Sequence, residues 1–109
     1  MAYDEGVAQR VREAMRGLRQ LEEKKMFGGI AFMHRGHMCV GVVGKELMLR
    51  VGPDGHEDAL KRLHARPMDF TGKPMKGFIY VAPKGFHTDK DLNAWVGRAV
   101  KFVKSLPAK

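Results

Sequence analysis

The hydrophobic period of this chain changes at Gly28-Gly29, and that change limits the possible fold more than any other feature. Before it, Val7, Val11, Met15, Leu18 and Leu21 recur at helical spacing while Arg10, Arg12, Glu13, Arg16 and Arg19 take the other faces. The spacing predicts an amphipathic helix over about residues 4–20, capped by Asp4, with Glu5 at the positive end of its dipole and Arg16 and Arg19 at the negative end. Residues 22–27 then read as a short strand. After the glycines, Ile30 and Phe32 alternate with Ala31 and Met33, and Met38, Val40 and Val42 alternate with Cys39, Gly41 and Val43. His34-Arg35-Gly36-His37 and Gly44-Lys45 are the turns, the second leading into a strand at residues 47–51. Loops this short cannot carry a parallel crossover, so these strands form an antiparallel meander.

Gly52-Pro53-Asp54 starts a second helix, with Ala59, Leu60 and Leu63 as its buried positions and Arg66-Pro67 as its end. Residues 67–70 read as a short extended segment, residues 71–76 as the most mobile loop, and residues 78–81 as a last strand. Thr88-x-x-Asp91 resembles a capping box and opens a final helix, whose Leu92, Trp95, Val96, Ala99, Val100, Phe102 and Val103 form a broad apolar stripe. The order α-β-β-β-β-α-β-β-α predicts a two-layer α+β domain spanning residues 1–109, an antiparallel sheet covered by helices. Trp95 is expected to be buried against that sheet.

Length and composition suit one soluble domain, a monomer or homodimer. At 109 residues a single core is feasible without staples, and one cysteine, Cys39, cannot close an intramolecular disulfide. No apolar run approaches the ~20 residues of a membrane helix, and the N-terminus lacks a secretion-signal pattern. The expected compartment is the cytoplasm, with no membrane association.

The abnormal bulk property is a net charge of +8. Residues 1–25 carry six basic against five acidic side chains, so the excess lies further along the chain. It concentrates in Lys61, Arg62, Arg66, Lys73 and Lys76, and again in Arg98, Lys101, Lys104 and Lys109. Solvated charge is the plain reading. The alternative is an anion or nucleic-acid contact through Arg66, Lys73, Lys76, Arg98 and Lys101, with Phe78 and Tyr80 near the basic loop available for stacking.

Other chemistry has weak footing. His34, His37 and Cys39 are of the residue types that bind zinc or copper(I), but no second ligand pair follows, so no metal is expected. Cys39 lies in a strand pattern and reads as a small buried hydrophobe rather than a nucleophile. The single serine, Ser105, excludes Gly-x-Ser-x-Gly hydrolase chemistry. Gly72-Lys73-Pro74 lacks the earlier glycine and the following Ser/Thr of a phosphate loop, and Gly28-Gly29 enters a strand rather than a helix. No cofactor and no enzymatic activity are expected. Most of the eight methionines read as core filler.

Residues 23–33 (EKKMFGGIAFM), 47–51 (LMLRV), 66–70 (RPMDF) and 76–81 (KGFIYV), with Trp95 in the last helix, together resemble the N-terminal domain of the TfoX/Sxy family of competence regulators. The structural signature within that frame is Phe27, Gly28, Gly29, Gly77 and Trp95. The resemblance covers residues 3–106. It implies a curved antiparallel sheet with helices, similar to secretion-chaperone folds, and a non-enzymatic regulatory or protein-interaction role. It also implies the cyclic-AMP receptor protein or the transcription machinery as partner, and carries over no catalytic residue. The regulators' C-terminal helical domain has no counterpart in these 109 residues, so the chain is expected to be a stand-alone domain.

Overall fold

The segments of period two pair into one six-stranded antiparallel sheet in the computed structural model, which describes residues 3–26, 28–70 and 73–107. The elements are α1 (Glu5–Ala14), β1 (Leu21–Met26), β2 (Gly29–His34), β3 (His37–Val43), β4 (Glu46–Arg50), α2 (Gly52–Leu60), β5 (Ala65–Phe70), β6 (Lys73–Val81), a 3-10 turn (Pro83–Phe86) and α3 (Asp89–Lys104). Spatial order across the sheet is β1-β2-β3-β4-β6-β5. This is an α+β fold in the element order that the sequence predicts.

Register explains the core. Phe32 pairs with Val40, Val40 with Leu49 and Leu49 with Ile79; in the next row Ile30 pairs with Val42, Val42 with Leu47 and Leu47 with Val81. Both rows point to one face because side chains two apart share a side. They join a single buried cluster with Ala8, Val11 and Met15 of α1, Ala59 of α2, and Leu92, Trp95, Val96, Ala99 and Val103 of α3. The intervening row, from Ala31 through Gly41, Met48 and Tyr80 to Arg66, takes the other face. Asp4 accepts from Val7 N–H at 3.0 Å and Thr88 Oγ1 from Asp91 N–H at 3.1 Å, so both amphipathic helices start at the side-chain caps expected of them.

Five local expectations are corrected. Helix α1 stops at Ala14 rather than at residue 20, because Gly17 (φ 92°) and Gln20 (φ 54°) turn left-handed and reverse the chain into β1. Helix α2 stops at Leu60, short of Arg66-Pro67, which is drawn instead into the edge strand β5. Leu63, expected to be buried, is 80% exposed, and His56 takes the buried position beside Ala59. Residues 73–76, expected in a loop, belong to β6, where Phe70 pairs with Lys73 and Asp69 with Pro74. Strict alternation also fails in β3: Phe32 faces Val40 but Met33 faces Met38, leaving Cys39 as the extra residue of a β-bulge. Cys39 and Val40 therefore both enter the core, and Met38 pairs off with Met33 on the other face.

Candidate functional site

The basic residues singled out from the sequence do not form one surface. Arg66 stacks over Tyr80 at 4.6 Å from its ring centre and pairs with Glu46, on the sheet face away from the helices. Arg98 lies on α3, pairs with Asp58 at 3.0 Å and covers Trp95 at 5.5 Å. That guanidinium holds the Asp58 carboxyl below its ordinary range. Lys101 is exposed one turn further along α3. The side chains of Lys73 and Lys76 lie outside the described residues. Phe78 does not offer an open ring either, since the Arg50 guanidinium lies 5.6 Å from its centre and 5.6 Å from that of Phe102. Arginines placed on rings and carboxylates are already engaged within the fold, which lowers their value for phosphate contact.

The signature residues are placed by backbone demands. Gly28 (φ 73°) turns the chain between β1 and β2, and a Cβ on Gly29 would lie 2.1 Å from the Val42 carbonyl oxygen, a contact no side chain can make. Gly77 (φ 93°) accepts from Val51 N–H at 2.8 Å and donates to His56 Nδ1 at 3.0 Å, which joins β6 to the base of α2. Phe27 lies outside the described residues. Trp95 is 6% exposed and its indole N–H donates to Gly85 O at 3.0 Å.

His34 and His37 face each other across the β2–β3 hairpin, 3% and 7% exposed. His34 Nδ1 bonds Arg19 O at 2.8 Å and His37 Nε2 bonds Pro107 O at 2.6 Å. Carbonyls only accept, so each of these nitrogens carries its proton; His34 Nε2 and His37 Nδ1 are buried without a partner among the described residues. Burial pushes the Cys39 thiol up to about 12, so it stays protonated at neutral pH. Among the described residues no group of three or more His, Cys, Asp and Glu side chains is placed to hold a metal ion.

Two grooves are cut where helices give way to strands. One, of about 680 Å³, is lined by Leu18, Arg19, Gln20, His34, Arg35 and Lys104. Its polar groups bond one another: His34 to Arg19 O, Arg35 N–H to Gln20 O at 3.1 Å, and Arg35 Nη1 to Lys104 O at 3.1 Å. The other, of about 400 Å³, lies between the α2–β5 turn, the 3-10 turn and the first half of α3. Arg62, Leu63, His64, Lys84, Trp95 and Arg98 line it, with Asp91 as the one lining carboxylate among the described residues. Its floor is tight: a Cβ on Gly85 would lie 2.6 Å from Val81 Cγ1 and 3.0 Å from His64 Cβ. Leu63 stands at its edge, between exposed Arg62 and exposed His64.

Leu63 is the residue that sequence reasoning misplaced. Its spacing of three from Leu60 mimics a helical stripe. The contrary signal was the run of polar neighbours at residues 61, 62, 64 and 66, together with the need for several extended residues before an edge-strand proline.

One family, described as TfoX N-terminal domain, matches residues 13–103, from the last turn of α1 to nearly the end of α3. No curated protein and no solved structure matches the chain significantly.

Proposed function

The chain belongs to the TfoX N-terminal domain family, and on that premise we propose that it is a regulatory, non-enzymatic module that docks a protein partner. The observation that carries this reading is Leu63, 80% exposed at the edge of a groove. A single exposed leucine is ordinary on a protein surface, but one at the rim of a concave, partly apolar groove offers an anchor for a partner's side chain. By the resemblance to competence regulators, the partner is the cyclic-AMP receptor protein or another component of the transcription machinery, met in the cytoplasm. No helix among the described residues is long and apolar enough to cross a membrane.

Co-purification from the native host, with and without nuclease, tests the reading. A partner retained after nuclease and lost from a Leu63→Ser variant supports it; a partner whose retention ignores Leu63 places the contact elsewhere. The net charge of +8 favours a second reading, direct nucleic-acid binding. With Arg66 and Arg98 engaged inside the fold, a mixed-sequence duplex is expected to bind no tighter than ~10⁻⁴ to 10⁻⁶ M at physiological salt, and to fade steeply as salt rises. Salt-resistant, sequence-selective binding near ~10⁻⁸ M would promote the second reading over the first.

A further inference from the structure

The groove at Leu63 carries a charge pattern that narrows its occupant. Arg62 and Lys84 are exposed among its lining residues, Lys61 is exposed next to Arg62, and Asp91 is the one lining carboxylate among the described residues. Arg98 is paired with Asp58, whose carboxylate also lies within Coulombic reach of Arg62 and Lys61, so the free positive charge of the groove rests on Arg62 and Lys84 together rather than on Arg98. The apolar part is small and local: Leu63 at the edge, exposed Ala94 on α3 and the small accessible part of Trp95.

The turn that presents these groups is held by its own backbone. Lys61 N–H bonds Asp58 O at 3.3 Å, Arg62 N–H bonds Ala59 O at 3.1 Å, and Ala65 N–H bonds Arg62 O at 3.3 Å. Ala82 N–H bonds His64 O at 3.0 Å, which ties the turn to the 3-10 segment on the far side of the groove. Arg62 and Leu63 are therefore displayed with little backbone freedom left to lose on binding.

Nucleic acid fits this chemistry poorly. Base stacking needs an open ring, but Trp95 is 6% exposed, its indole N–H is already donated to Gly85 O, and the Arg98 guanidinium lies over its face. Leu63 has no π surface to offer a base. A cavity of about 400 Å³ takes one or two side chains, not a duplex.

The geometry points to an acidic peptide segment with one large apolar residue as the occupant: the apolar side chain packs on Leu63 and the Trp95 edge, and flanking carboxylates meet Arg62 and Lys84. This rests on the docking reading above and assigns that site its class of partner. The charges supply steering and sign selection, while Leu63 supplies the anchor.

Selection of a random peptide library on the full chain tests the assignment, with Leu63→Ser and Arg62→Glu/Lys84→Glu as counter-targets. Leu63, Arg62 and Lys84 are exposed, and circular dichroism and Trp95 emission verify that each variant is folded. The expected result is enrichment of peptides with at least two Asp or Glu flanking a Leu, Phe or Trp. Their affinity is expected to fall by ~10-fold or more in each variant and to weaken with added salt. Neutral or basic peptides that still depend on Leu63 would overturn the acidic assignment and leave the docking reading standing. Acidic peptides indifferent to both variants would overturn it by placing the contact elsewhere. An empty selection would sink both.

Discussion

The two turns that carry a helix into a strand, residues 15–20 after α1 and residues 61–64 after α2, break the same local pattern and end differently. In each, an apolar residue continues the helical period beyond the observed helix end, Leu18 in the first and Leu63 in the second. Each reverses through left-handed residues, Gly17 and Gln20 in one and His64 in the other. The first turn is drawn into the body. Leu18 packs against the core cluster, Arg19 O and Gln20 O are bonded by the β2–β3 hairpin, and Arg12 of α1 forks onto Glu23 of β1 with two bonds of 2.7 Å. The second turn is just as well bonded through its backbone but leaves Leu63 outside. Order and burial are therefore separable: an ordered turn with an unburied leucine is a displayed feature, while one whose leucine is half-buried against the core is scaffold.

The comparison breaks first if the shared support beneath it is wrong. Trp95 packs in the core and forms the floor of the groove beside Leu63, so Trp95→Ala removes the largest side chain of α3's apolar stripe. The expected loss is about 3–5 kcal/mol in chemical denaturation. A solvent-like emission maximum for the folded wild-type protein would contradict the burial on which the estimate rests.

The buried turn is tested next by Leu18→Ala, expected to lose about 1–2 kcal/mol because the side chain is partly covered. A loss below about 0.5 kcal/mol would mean that Leu18 is no more part of the scaffold than Leu63, and the contrast between the turns would vanish.

The fork that spans the first turn gives a smaller, pH-dependent effect. The paired bonds from Arg12 hold the Glu23 carboxyl below its ordinary value of 4.5. Above that value the group is ionised in folded and unfolded chains alike, and its full contribution is present. As pH falls below it, the unfolded chain takes up the proton first, and the contribution is lost as pH passes down through the lowered folded value. Both side chains are about a third exposed, so the size is at most about 1 kcal/mol. Comparing Glu23→Gln with wild type by denaturation at neutral and acid pH isolates it: the two curves should converge as pH drops, and a constant offset would assign the difference to packing alone.

What was legible in the sequence follows the range of the interactions that decide it. The period change at Gly28-Gly29, the Asp4 and Thr88 caps and the short hairpin turns act within four residues, and each is found where the pattern placed it. Helix ends were misjudged because the apolar period runs past them at Leu18 and Leu63. The Cys39 bulge has no local mark; it exists only in register with Phe32 and Met33. Residues 73–76 look like a loop, with Pro74 among them and Gly77 directly after, and become strand only by pairing with β5. For the site, the basic excess was visible but its use was not. Arg98 finds Asp58 forty residues away, and Arg66 finds Glu46 twenty residues earlier, on a strand that is not its neighbour in the sheet. A charge count cannot separate an arginine spent on a ring from one turned to solvent.

The smallest expected effect is the most discriminating. Leu63→Ala should change folding stability by less than about 0.5 kcal/mol, since a side chain that is 80% exposed leaves little buried surface to lose. A slight gain is equally consistent, because removing an exposed leucine also removes apolar surface that water must cover. The prediction matters because an equal substitution at Leu18, in a turn of similar length and similar backbone order, is expected to cost several times more. Thermal and urea denaturation of the two variants beside wild type measures the difference directly. A loss above about 1 kcal/mol at Leu63 would show that the side chain is covered in solution, by the groove wall or by a second copy of the chain. Repeating the measurement over a hundredfold range of protein concentration separates those two, because only cover by a second copy makes the stability depend on concentration.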